Sequence, residues 1–221
     1  MPDAFLCDFD GTVSPEDIGA ALVRTFSRGR DAERCELLER WTRGSIGHRE
    51  MIEAQCGLLI AGEAETLEFT RGFALDPAFA PFVRERRANG DAVMVVSEGF
   101  DLYVRDQLAR AGLSDVPWAA NRLRFEGDRV HPEFPFADPT CRGCGNCKAR
   151  HVREWRARGY RTVLVGDGLS DRCGARAADM VLARRELREW CRRVRLPARN
   201  FETFADVAIA ARRGATLPTL A

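Results

Sequence analysis

Ala4-Phe5-Leu6-Cys7-Asp8-Phe9-Asp10-Gly11-Thr12 decides the fold: an apolar run that ends in two carboxylates and a glycine turn. A short apolar run bounded by a turn signal reads as a buried strand. Side chains alternate along a strand, so residues two apart share a side, and Asp8 and Asp10 are expected to face one site. Two like charges crowded at a buried strand end raise each other's cost of ionisation. A cation or a reacting phosphoryl group would account for the pair.

Working outward, Ser14 reads as a helix N-cap, with Pro15 at the first helical position and Glu16 and Asp17 in the first turn. Residues 16–75 then read as mostly helical, since Ile18, Leu22, Val23, Phe26, Leu37, Leu38, Trp41, Ile46, Met51 and Ile52 recur at helical spacing. The spacing predicts an all-helical insert over 15–79, dividing a core made of 1–14 and 80–221. A helix near 80–88 closes at Asn89-Gly90, a C-cap signal. Asp91–Val96 is a continuous apolar strand of the kind buried on both faces of a parallel sheet, and it runs into Ser97-Glu98-Gly99-Phe100.

A helix over 101–111 follows, then a short third strand at 116–120 and a hairpin over 121–131 turning at Glu126-Gly127-Asp128. A helix at 149–158 precedes a fourth strand, 162–165, which ends in Gly166-Asp167-Gly168-Leu169-Ser170-Asp171. A helix over 171–178, a fifth strand at 180–183, a basic helix, a break at Pro197, a helix over 204–212 and a frayed tail from Gly214 complete the chain. Strands alternating with helices imply an α/β fold: a Rossmann-like parallel sheet with right-handed crossovers. In such sheets the ligand sits beyond the carboxyl ends of the strands, where Asp8, Asp10, Ser97, Asp167 and Asp171 all fall.

Composition narrows the class. With 221 residues, 45% hydrophobic and 30% charged, the chain can bury a sizeable core, which excludes disorder. A net charge of +1 shows no nucleic-acid footprint, and no partner beyond a small molecule is indicated. Met1-Pro2-Asp3 leads into the first strand without a basic, then apolar, leader, and no apolar run approaches the ~18 residues a membrane span needs. A soluble cytoplasmic protein is therefore expected, and the eight cysteines fit reduced thiols or a metal better than a secreted disulfide framework. Lys148 is the only lysine among 34 basic residues. Either it survived a compositional drift by chance, or it occupies a tight site that a planar guanidinium does not fit. Nothing in the sequence sets an oligomeric state.

The residues at the strand ends, in this order, resemble the four motifs of the haloacid dehalogenase (HAD) superfamily of aspartate-nucleophile phosphatases: DFDGT from Asp8, VVSEG around Ser97, the helix-opening Lys148, and GDGLSD from Gly166. The resemblance implies the HAD fold with a small helical C1 cap, Mg2+ dependence and a small phosphorylated metabolite as substrate. It implies Asp8 as nucleophile, Asp10 as acid and base, and Lys148 as the neutralising cation. Ser97 and Lys148, with the backbone N–H groups of Glu98 and Gly99, would hold the phosphate. The Asp8 carboxylate, the Asp10 carbonyl and Asp167 would hold the metal, with Asp171 beside them. The SEGFD wording, the Cys-Gly-x-Cys-Lys approach to Lys148 and the helical cap are similar to the phosphoserine phosphatase-like subgroup, especially its methionine-salvage phosphatases acting on 2-hydroxy-3-keto-5-methylthiopentenyl-1-phosphate, and also its phosphoethanolamine/phosphocholine phosphatases. Asp17, Arg43, His48 and Arg49 are polar residues of the insert that either reach the site or form a solvated helix face, and the second is expected of each.

Cys141, Cys144 and Cys147 stand at C-x2-C-x2-C. They would bind structural zinc if His151, His131 or Cys173 completed a tetrahedral set; otherwise they are reduced thiols or a labile disulfide. Two further functions stay open: a zinc-binding regulatory protein with a vestigial acidic site, and a phosphotransferase passing phosphate to an alcohol.

Overall fold

The structure is a computed structural model that describes residues 1–141 and 143–212. β1 (Asp3–Cys7), β2 (Ala92–Phe100), β3 (Trp118–Glu126), β4 (Arg129–Glu133), β5 (Arg161–Gly166), β6 (Met180–Ala183) and β7 (Arg199–Asn200) form one sheet in the order β4-β3-β2-β1-β5-β6-β7. Every neighbouring pair is parallel except β3 with β4. β1 lies at the centre, paired with β2 from Ala4↔Ala92 to Cys7↔Val95 and with β5 from Asp3↔Arg161 to Cys7↔Val165. The chain leaves β1 toward β2 and β3, then returns to the other side for β5, so the strand order reverses beside β1. That reversal opens a crevice at the carboxyl edge, and it brings the ends of β1, β2 and β5 together.

Alternation along the strands feeds two cores. Phe5, Cys7, Val93, Val95, Val163 and Val165 enter a cluster on one face, while Ala4, Leu6, Val96, Leu164 and Val181 enter one on the other. The second face is covered by α7 (Lys148–Ala157), α8 (Arg172–Ala177) and α9 (Arg185–Val194). On the first face lie α5 (Phe79–Ala88), α6 (Asp101–Arg110) and α10 (Phe204–Ala210), with Phe204 against Phe79 at 4.8 Å between ring centroids. Between β1 and α5 stand α1 (Ile18–Phe26), α2 (Asp31–Thr42), α3 (His48–Cys56) and α4 (Glu63–Thr70), the helical stretch expected there. Their buried residues Ile18, Leu22, Ile52 and Cys56 join the same apolar cluster as Phe5 and Cys7.

Local boundaries differ from the expectation in several places, and β2 runs through Ser97 to Phe100 rather than ending at Val96. Ser14 does not cap a helix: its hydroxyl donates to the Glu16 carbonyl, and Asp17 is the N-cap of α1, accepting the Ala20 N–H at 2.7 Å. The third strand and the first arm of the hairpin are one strand, β3, because no Gly or Pro interrupts 118–126; it pairs with β2 at Trp118 and with β4 from Arg122 on. β7, two residues long, carried no apolar run to mark it. The expected fraying from Gly214 lies outside the described residues. Among the described residues no helix is long and apolar enough to cross a membrane.

Candidate active site

β1 ends at Cys7, and the Asp8 N–H continues its ladder by donating to the Val165 carbonyl at 2.8 Å. The chain then turns: Thr12 and Ser14 donate to the Phe9 carbonyl and Val13 to that of Asp8. β1 ends before Asp8, so the turn, closed through Gly11 at φ 76°, rather than strand alternation sets the relation of Asp8 and Asp10, and both line one cavity. A side chain at Gly11 would run into the Asp167 carboxylate, so the turn and the end of β5 need glycine for two reasons.

The two carboxylates have separate surroundings. Asp8 lies with Asp167 and Asp171, all buried, their carboxylate oxygens within 4.8 Å of one another. Lys148, wholly buried as the first residue of α7, bridges two of them, 2.5 Å from Asp8 Oδ1 and also donating to Asp171 Oδ1. Burial, reinforced by the Asp171 charge, pushes the Asp8 carboxyl well above the usual range, and Lys148 opposes this. Burial disfavours the Lys148 charge, but Asp171 and Asp8 outweigh it and hold its pKa above the ordinary value. Asp167 is pushed up to about 6 by burial and the Asp171 charge; it accepts from Thr12 Oγ1 at 3.1 Å and from Arg185 at 3.2 Å. Asp171 Oδ2 accepts the N–H groups of Asp167 and Gly168, so it shapes the loop as well as holding Lys148.

Asp10 has a different set of partners. Its Oδ1 accepts the Ile18 and Gly19 N–H groups at the start of α1, and its Oδ2 accepts from the Tyr103 hydroxyl at 2.7 Å and Ser97 Oγ at 3.3 Å. Burial, then the Asp17 charge, push it up to about 7 despite those donors. Tyr103, buried in α6, had no motif to mark it; its place becomes visible only when α6 folds back beside β1.

At the end of β2, Ser97 is buried and accepts the Gly99 N–H at 2.8 Å. Gly99 has no room for a Cβ, which would strike the Tyr103 hydroxyl and the Asp10 carboxylate. Glu98 was expected to matter through its backbone, but its side chain is also engaged. Oε2 accepts the Gly145 and Asn146 N–H groups and lies 3.2 Å from His48 Nδ1. Burial raises the Glu98 pKa, but His48, Lys148 and the Asn146 N–H together outweigh it and hold the carboxyl below its ordinary value. His48 thus departs from the solvated helix face expected of it: it stacks on Trp41 at 4.5 Å and ties α3 to the loop before Lys148. Arg43 and Arg49 do extend from their helices into solvent.

His151 has partners other than the cysteine loop. It is buried, its Nε2 2.7 Å from Asn146 Oδ1, while Asn146 Nδ2 donates to the carbonyls of Ser97 and Ala119. With that amide oriented by two carbonyls, Nε2 donates to it, and Nδ1 lies 3.7 Å from Glu154. His131 lies out on β4, facing Glu126. Cys173, at the start of α8, is the residue that meets the cysteine loop, its Sγ 3.9 Å from that of Cys144.

A cavity of about 440 Å³ opens over Asp8 and Asp10. Its floor includes Glu98, Gly99 and Asp167; its walls are Val23, Leu38, Trp41, Met51, Ile52 and Phe100, with Arg34 and His48 among them.

An anionic cluster held open by one buried lysine, beside a separately tuned carboxyl, is suited to displacement at a phosphate ester, and the parallel sheet places it where α/β enzymes bind ligands. Fold and site together define an α/β phosphoric monoester hydrolase. The haloacid dehalogenase-like hydrolase family matches residues 5–176, and the chain belongs to that family. It is 33% identical to a 2-hydroxy-3-keto-5-methylthiopentenyl-1-phosphate phosphatase of Brevibacillus brevis, over 91% of each chain. A protein of that same name from Geobacillus kaustophilus is 32% identical over 94% of each. Among solved structures, one titled a phospho-aspartyl intermediate analogue of phosphoserine phosphatase superposes with a TM-score of 0.66 at 21% identity, covering 84% of this chain and 88% of that one. A phosphoserine phosphohydrolase-like protein from Francisella tularensis superposes with a TM-score of 0.71 at 13% identity, covering 96% and 100%. These structural likenesses bear on the fold.

Proposed function

We propose that this hydrolase cleaves a small phosphomonoester by two displacements at Asp8. The observation that carries this is the division of labour between two carboxylates on one cavity: Asp8 is paired with Lys148, whereas Asp10 is bonded to Tyr103 and the start of α1. The Asp8 oxygen that Lys148 does not bind attacks phosphorus, and the bond to the departing alcohol oxygen breaks as Asp10 gives that oxygen its proton. Water then attacks the aspartyl-phosphate, Asp10 takes a proton back, and inorganic phosphate leaves with Asp8 restored. Lys148 neutralises Asp8 and the charge that develops on the transferring group. Ser97 and the amides near Gly99 hold phosphoryl oxygens at the end of β2.

The crowded oxygens of Asp8 and Asp167, with Asp171 beside them, suit a hard dication such as Mg2+, whose ligands are oxygens. When bound, it would keep Asp8 ionised against its burial and draw charge from the phosphate. Residues 15–79 act as the cap and choose the substrate. Their contribution to the cavity is mainly apolar, and Arg34, a cation there, faces Asp31 at 3.3 Å. An apolar chain such as a methylthio group fits these walls better than the charged head of phosphoserine or phosphoethanolamine. The names of the Brevibacillus and Geobacillus relatives support the same ester. Turnover of the three esters compared with Mg2+ present tests the choice: preference for the thioether ester is expected, and a preference for phosphoserine would overturn it. Asp8→Asn should abolish turnover in a folded protein; retained turnover would refute Asp8 as nucleophile.

A further inference from the structure

Four thiols converge outside the hydrolytic cleft. Cys141, Cys144 and Cys147 have sulfurs within 4.8 Å of one another, and Cys173 approaches from α8, 3.9 Å from Cys144. All four are free of disulfides; Cys144 and Cys147 are buried, and Cys141 and Cys173 partly so. Their surroundings are small and apolar, Ala149 and Ala177. A lone buried thiol packs as a small hydrophobe and needs no such company. In a tetrahedral tetrathiolate with Zn–S near 2.3 Å, the sulfurs lie about 3.8 Å apart, close to the Cys144–Cys173 separation, and C-x2-C is a common ligand spacing.

The surrounding chain also calls for a fastener. Between β4 and α7, the described residues of 134–147 form no helix or strand. Loops of this length inside compact domains usually carry a function or a staple of their own.

We propose that Cys141, Cys144, Cys147 and Cys173 bind one thiophilic divalent cation, Zn2+, in a closed structural site. Each thiol gives up its proton as its sulfur binds the ion, and no position is left for substrate. Cys147 directly precedes Lys148, and Cys173 lies two residues beyond Asp171. The ion therefore fastens the start of α7 to the start of α8, where Lys148 and Asp171 are bonded to each other. The helices are already close: a Cβ at Gly174 would stand 2.9 Å from Lys148 Cβ. This site is independent of the substrate reading above, and its test is metal content rather than turnover.

The full chain, without a histidine tag and expressed with zinc, should retain about one zinc per chain after gel filtration. Cobalt replacement should show the sulfur-to-metal charge-transfer and intense d–d bands of a tetrahedral tetrathiolate. Cys173→Ser should lower zinc retention at least tenfold or change the cobalt spectrum to one of fewer sulfurs, while Cys35→Ser, at an exposed cysteine, should retain the ion. If Cys173→Ser does not fold, native-state thiol labelling of the unaltered protein decides: zinc should protect four thiols, and chelation should expose them. A zinc-free protein whose four thiols label at once, a Cys144–Cys173 disulfide in the purified protein, or unchanged zinc and cobalt bands in Cys173→Ser would overturn the assignment.

Discussion

At the scale of single residues, the singularity of Lys148 and the pairing of Tyr103 with Asp10 are the most consequential features. Lys148 is wholly buried between Asp8 and Asp171. A guanidinium is wider and planar, so Lys148→Arg should keep the charge yet lose about 100-fold or more in kcat, the cost of a misplaced electrostatic stabiliser; steady-state kinetics beside circular dichroism separates this from misfolding. The Tyr103 hydroxyl donates to Asp10, which favours the ionised carboxylate. Tyr103→Phe removes that donor, so the Asp10 pKa rises from about 7. The acid needed for leaving-group protonation then persists to higher pH, and the alkaline limb of the kcat/KM profile should move upward. A profile that stays in place would refute the pairing as the control on Asp10. Asp10 was legible in the sequence because it belongs to DFDGT, whereas Tyr103 sits in an ordinary helix and is brought to Asp10 across 93 positions.

At the scale of elements, the end of β2 is a junction. Glu98 reaches the loop before α7 with one carboxylate oxygen, and that oxygen also faces His48 on α3. His48→Ala leaves Glu98 buried with only backbone donors. It should cost about 1–3 kcal/mol of stability, read by urea unfolding. Because Glu98 is held below its ordinary pKa, its contribution is present above the ordinary glutamate range and fades as pH falls through its folded value, so the variant's deficit should shrink in acid. The helices α1–α4 were visible from apolar spacing alone, but His48 was not. It lies next to Gly47 at the start of α3, where a polar residue reads as solvated, and only the packing of α3 against the core turns it inward.

At the scale of the whole molecule, the sheet concentrates negative charge at one edge. Asp10 and Asp167 have folded pKa values of about 7 and about 6, and Asp8 is raised well above the usual range. Each binds its proton more tightly folded than unfolded, so the stability they contribute is complete below the ordinary carboxylate pKa and is lost as pH rises through those folded values. In chelator, the melting temperature should fall as pH is raised from about 5 to about 8. Excess Mg2+ should oppose that fall, because a dication among Asp8, Asp167 and Asp171 offsets their repulsion. A melting temperature insensitive to Mg2+ at the alkaline end would count against the carboxylate cluster as the metal site.

By itself the sequence determined the α/β alternation, the helical stretch after β1 and the polar residues at the ends of β1, β2 and β5, because period-two and period-3.6 patterns and turn residues are local properties of the chain. The tertiary structure alone decided the central place of β1 in the sheet, the pairing of Asp10 with Tyr103, the turning inward of His48, and the approach of Cys173 to Cys144. These depend on which elements pack together across long stretches of sequence, and burial and charge pairing at such junctions have no local signature.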